Sequence, residues 1–108
     1  MTTFDERERA FEAKFARDQE MQFRIHARRD RLLGLWAAER MGLSDVEAET
    51  YAKELIRSDF ETITDDDIVR RLLGDLTSAG VYIEESEIRA RIDEKTVKAR
   101  RQLIEMME

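Results

Sequence analysis

The residues of this 108-residue chain whose types suit chemistry are one histidine, a run of three aspartates and two arginine clusters. Hydrolytic catalysis requires a base placed beside a nucleophile and an orienting carboxylate. His26 stands between Ile25 and Ala27 in a helical stretch, where it reads as a boundary or capping residue, or as a charge that tunes an assembly equilibrium. Asp65-Asp66-Asp67 lacks the alternating spacing, the glycine and the distal glutamate of a calcium loop. Negative charge at a helix N-terminus accounts for it, so no metal is expected there. Cysteine is absent, which removes disulfides and thiolate metal sites, and there is no glycine-rich phosphate loop. Neither a cofactor nor an enzymatic activity is expected.

Arg24, Arg28, Arg29 and Arg31 form one basic cluster, and Lys98, Arg100 and Arg101 form another. Such clusters can hold phosphates. Here carboxylates are interleaved among the arginines, the formal net charge is −6, and no helix-turn-helix or sheet-borne aromatic signature accompanies them. The expectation is no nucleic-acid binding, and a solvated face that pairs internally or with an acidic partner.

The elements that position these groups should all be helices. Hydrophobic residues make up 42% and charged residues 41%, enough for one modest core under an ionic surface. With no proline and only Gly34, Gly42, Gly74 and Gly80, the chain lacks the turn residues of a β fold. The N-terminus has no apolar segment of a signal peptide and no stretch nears the ~20 apolar residues of a membrane span. Thr3 with Glu6 has capping-box spacing, and no break follows until Gly42. Gly34, inside that helix, predicts a close helix crossing beside Trp36. Ser44 with Glu47 starts a second helix carrying Val46, Tyr51, Leu55 and Ile56 and ending near Phe60. Thr64 before the three aspartates starts a third, which ends at Gly80. A fourth carries Ile88, Ile92, Ala99, Leu103 and Met106 on one stripe. The expected fold class is all-α, a four-helix bundle with a long first helix.

That first helix has two apolar stripes. Phe4, Phe11 and Phe15 fall together on a helical wheel, whereas Met21, Ile25, Leu32 and Trp36 form a stripe turned roughly 60–80° away. One buried face does not serve both. Ordering the first eighteen or so residues costs roughly 20–30 kcal/mol of backbone entropy, and three buried phenylalanines return about 5–9 kcal/mol. Residues 1–18 are therefore expected to project as a flexible or partly helical arm that orders on binding a partner, with residues 19–108 as the bundle.

The run Phe4-Asp5-Glu6-Arg7-Glu8-Arg9-Ala10-Phe11-Glu12-Ala13-Lys14-Phe15-Ala16, then Ala27-Arg28-Arg29-Asp30-Arg31-Leu32-Leu33-Gly34-Leu35-Trp36-Ala37-Ala38 and later Ser58-Asp59-Phe60-Glu61, resembles the zeta-type inhibitor subunit of alphaproteobacterial F-type ATP synthases. The resemblance covers essentially the whole chain and is most specific in its N-terminal third. It implies a protein on the cytoplasmic face of the inner membrane, held there only through the ATP synthase. Its N-terminal segment would enter a catalytic interface between the α and β subunits near the central γ stalk and block rotation in the hydrolysing direction. The positions implied to bind the partner are Thr3, Phe4, Asp5, Arg7, Glu8, Ala10, Phe11, Glu12, Lys14 and Phe15. The alternative reading is a small-ligand or nucleotide-sensing helical module, weakly nucleotide-binding, with its pocket near Trp36 and Tyr51.

Overall fold

Capping side chains and two glycines punctuate the chain where proline does not. A computed structural model of the protein describes residues 3–15, 18–59 and 64–106, with only the backbone of Phe15. Those residues form five helices and no strand: α1 (Phe4–Phe15), α2 (Gln19–Arg40), α3 (Asp45–Asp59), α4 (Asp65–Ser78) and α5 (Glu85–Met106). No helix among them is long and apolar enough to cross a membrane.

Both capping boxes form as their spacing predicts. The Thr3 amide donates to Glu6 Oε2 at 3.3 Å and the Glu6 amide to Thr3 Oγ1 at 3.1 Å. Ser44 and Glu47 make the same reciprocal pair at 3.0 and 3.2 Å. Thr64 is the N-cap of α4 with extended backbone, but its side chain makes no capping bond. Gly42 (φ +74°) and Gly80 (φ +83°) take the left-handed conformation that ends a helix without a Cβ clash. At Gly80 the Val81 amide reaches back to the Leu76 carbonyl at 2.9 Å, the long bond of a Schellman cap, and the Leu43 amide does the same to Ala38 at 3.0 Å.

One expectation fails at the start of the chain. The expected long first helix is two helices, because Asp18 is the N-cap of α2 and its Oδ1 accepts from the Met21 amide at 3.1 Å. Residues 16 and 17 lie outside the description, as do residues 1–2, 60–63 and 107–108 and with them the expected helix end at Phe60. The break also means that α1 does not continue along the axis of α2. Once α1 is uncoupled from the axis of α2, its phenylalanine face can turn toward the fold, and α1 lies along α5.

α2 is the central element, packed by α3 on one side and α5 on the other, with α4 closing the gap between α5 and α2. The main core is Leu33 and Ala37 of α2, Leu55 of α3, Ile68, Val69, Leu72 and Leu76 of α4, Ile83, and Ile88 and Ile92 of α5. No residue of α1 belongs to it. A second cluster joins Phe11 to Met21, Ile25, Ala99 and Ile104, with Phe4, Leu32 and Leu103 at its edge. Two residues expected on buried stripes, Val46 and Met106, are exposed. Each lies at a helix end, where the stripe runs past the neighbouring helix.

Gly34 marks the crossing of α2 and α3. A Cβ built there would stand 2.8 Å from the Ala52 Cα and 3.2 Å from its Cβ, so the clash is with backbone. Alanine would gain about 1 kcal/mol of helix propensity, but forcing the helices apart costs about 1–3 kcal/mol. We expect Gly34→Ala to lower the urea midpoint without changing the m-value.

Candidate partner-binding helix and a buried polar cluster

The residues expected to bind a partner are gathered on α1, and the structure gives them two environments. Phe11 is buried at 8% exposure against Met21, Ile25, Ala99 and Ile104. Phe4 is half-buried at the edge of the same cluster, its ring between the Arg101 guanidinium at 5.2 Å and that of Arg7 at 5.5 Å. Asp5, Glu8 and Glu12 face the basic end of α5. Arg100 NH1 lies 3.1 Å from Glu12 Oε1 and 3.7 Å from Glu8 Oε1, and Arg101 Nε lies 3.5 Å from Glu8 Oε2. Arg101 is also 4.0 Å from Asp5. Ala10 and Lys14 lie on the outer surface, Thr3 is at the N-terminus of α1, and for Phe15 only the backbone is described. The C-terminal arginines therefore pair internally, which is how the carboxylates interleaved in the sequence are used.

This docking is light. The ion pairs lie at the surface, with Glu8 and Arg100 half-buried and Asp5, Glu12 and Arg101 exposed, and surface pairs contribute about 0.2–1 kcal/mol each. Burial of Phe11 adds about 1.5–3 kcal/mol. Nothing in the main core depends on α1.

The other basic cluster is used differently. Arg24 pairs with Glu20 at 2.7 Å, Arg28 donates to Gln102 at 2.6 Å, and Arg31 makes a two-pronged contact with Glu49 at 2.8 Å. Arg29 is buried at 5% exposure beside Asp30 at 1% and Asp59 at 8%. Its Nε and NH2 donate to Asp30 Oδ1 at 3.1 and 3.0 Å, NH2 also reaches Asp59 Oδ2 at 3.5 Å, and NH1 donates to Asp65 Oδ1 at 3.1 Å. His26 Nε2 contacts the same Asp59 oxygen and lies 3.1 Å from Arg29 NH2 and 3.7 Å from Asp30 Oδ2. Burial, then a hydrogen bond that the neutral Asp30 carboxyl donates to Asp59, pushes Asp30 up to about 8 against the pull of Arg29. The ligand atoms of His26, Asp30 and Asp59 lie within 4.8 Å of one another, but the Arg29 guanidinium occupies the position a divalent cation would take. Asp65, Asp66 and Asp67 face Arg29, Arg89 and Arg70 at 3.1, 2.7 and 3.6 Å, so this acidic run serves cations of the chain itself.

The arginine cluster was expected on a solvated face that pairs internally or with an acidic partner; it does pair internally, but Arg29 and Asp30 do so in a buried site. A signal was there: Asp30 stands three and seven residues before Leu33 and Ala37, on the face that builds the main core. Near Tyr51 the surface carries an open depression of about 410 Å³ lined by Glu54, Arg57, Ser58 and Arg71. Arg71 stacks 5.9 Å over the Tyr51 ring and donates to Ser58 Oγ at 2.6 Å, so its charge is already engaged.

A chain with a charged, lightly docked N-terminal helix on a helical anchor can be placed among known families by comparison. The family model described as ATPase inhibitor subunit zeta matches residues 1–102. The chain belongs to that family. A solved solution NMR structure is 41% identical, with a TM-score of 0.70 over 80% of this chain and 98% of that one. No curated protein matches the chain. As a member of the zeta family the chain is an ATPase inhibitor subunit, a regulatory role that fits association with the ATP synthase.

Proposed function

We propose that the chain inhibits ATP hydrolysis by an F-type ATP synthase, and that α1 with its flanking residues is the inhibitory segment. In this reading residues 1–18 insert at a catalytic interface between the α and β subunits near the γ stalk, while the remaining helices anchor the protein outside. The observation that carries it is the separateness of α1. It has its own N-terminal cap and contributes nothing to the main core, and one buried phenylalanine with a fringe of ion pairs holds it to α5.

Asp5, Glu8, Glu12, Phe4 and Phe11 are turned onto α5 in the free chain. α1 would therefore have to leave α5 before those side chains could meet a partner. The α5 arginines supply a resting place for the same acidic and aromatic face, and the modest strength of surface pairs keeps the exchange inexpensive. An amphipathic helix laid into a groove of a larger protein is a common mode of recognition.

A photo-crosslinking residue substituted at Phe4, in the full chain bound to its ATP synthase, should form adducts with the α, β or γ subunit. Adducts only within the chain itself, in a complex whose hydrolysis is inhibited, would refute insertion of α1.

A further inference from the structure

We propose that the seat of α1 on α5 is an autoinhibitory latch, in which Arg100 and Arg101 hold the inhibitory face of α1 closed and thereby set the potency of the chain. The proposal rests on the reading of α1 as the inhibitory segment and adds how that segment is regulated.

The residues that α1 turns inward are Phe4, Asp5, Glu8, Phe11 and Glu12. Their spacing of i, i+1, i+4, i+7 and i+8 makes them one face of the helix. The opposite face carries Glu6, Arg9, Ala10 and Ala13, all exposed, with no apolar side chain larger than alanine. A groove that grips α1 through Phe4, Phe11 and the carboxylates beside them competes with α5 for the same atoms. Docking on α5 and insertion into a partner therefore exclude each other.

Arg100 and Arg101 do the holding. Among the described residues, the carboxylates that pair with them all belong to α1. Arg100 reaches Glu12 at 3.1 Å and Glu8 at 3.7 Å, and Arg101 reaches Glu8 at 3.5 Å and Asp5 at 4.0 Å. Arg101 also covers the Phe4 ring at 5.2 Å. Neither arginine belongs to the main core, so this charge serves α1 rather than the bundle.

The strength of the latch suits a contact that has to open. Each surface pair shifts an equilibrium by about 1.4-fold to 5-fold, and the contacts of two arginines compound to roughly tenfold. A segment whose competent form is only partly populated binds its partner more weakly by that fraction. Loosening the latch therefore strengthens inhibition, the reverse of what losing a contact does to an ordinary inhibitor.

The test is the full chain carrying Arg100→Gln and Arg101→Gln together, which removes both charges and leaves α1 untouched. In the free wild-type chain, NMR should show nuclear Overhauser contacts from the Phe11 ring to the Ala99 and Ile104 methyls. In the variant, shown to be folded by its melt, amide exchange within α1 should speed up about tenfold. The variant should also half-inhibit ATP hydrolysis by the F-type ATP synthase at a concentration about tenfold lower than the wild type needs. Absence of the Phe11 contacts in the wild type, unchanged exchange in the variant, or inhibition by the variant that is unchanged or weaker would overturn the latch. Failure of the underlying reading looks different, because there the chain lacking residues 1–18 inhibits as the full chain does, whereas a failed latch leaves that shortened chain without inhibition.

Discussion

Replacing Arg29 with methionine, a side chain of similar length, should destabilise the protein by about 3–5 kcal/mol at neutral pH, the usual cost of stripping one partner from a buried ion network. Asp30 and Asp59 would keep their burial and lose the guanidinium that donates to both, and Asp65 would lose its link to α2. For a domain of typical stability, about 5–15 kcal/mol, that is a large share of the total. The loss should shrink below about pH 4, where the carboxyls are neutral even in the unfolded chain and need no counter-charge. Urea titrations of both proteins at neutral and acid pH measure both parts of the expectation. A neutral substitution of Arg24, whose pair with Glu20 is exposed, should stay within about 0.5 kcal/mol and serves as the control.

The contrast between those two arginines shows what a linear reading of the chain can and cannot supply. Local signals with a single physical solution were legible. Thr3 with Glu6 and Ser44 with Glu47 form the bonds their spacing calls for, because a capping box needs only four residues to close. Gly42 and Gly80 end helices because a left-handed residue is needed there. Gly34 sits at a close helix crossing with Ala52 in α3.

Choices settled by distant contacts were less legible. The break at Asp18 was hidden, because no glycine or proline interrupts that stretch and an aspartate inside a helical pattern reads equally as surface or cap. With the break missed, two apolar stripes on one long helix implied an arm without support. As two helices, each stripe finds its own place, and Phe11 shares a cluster with Met21 and Ile25. Asp30 was hidden for a related reason. Its burial is tolerable only because Asp59 and Arg29 meet it there, and Asp59 lies twenty-nine residues away in sequence. The residues expected to bind a partner were grouped on one segment by the family resemblance, and that segment is α1 with its capping residue Thr3. That Phe4, Asp5, Glu8, Phe11 and Glu12 lie against α5 depended on residues at the far end of the chain, Arg100 and Arg101 among them.

The division of labour between α1 and the rest is the central claim, and it has a direct consequence. Removing residues 1–18 takes away α1, whose loss uncovers Met21, Ile25, Ala99 and Ile104 but leaves the main core of α2, α3, α4 and α5 whole. The shortened chain should keep a cooperative helical melt at somewhat lower temperature, since it forfeits the burial of Phe11, about 1.5–3 kcal/mol, and the ion pairs around it. Its inhibition should disappear outright, because every contact assigned to the catalytic interface belongs to the missing segment.

The measurement is a titration of ATP hydrolysis by the F-type ATP synthase with the full chain and with the chain lacking residues 1–18, each shown to be folded by its melt. Inhibition by the full chain and none by the shortened one is the predicted result. Equal inhibition by both would contradict the assignment of α1 as the inhibitory element.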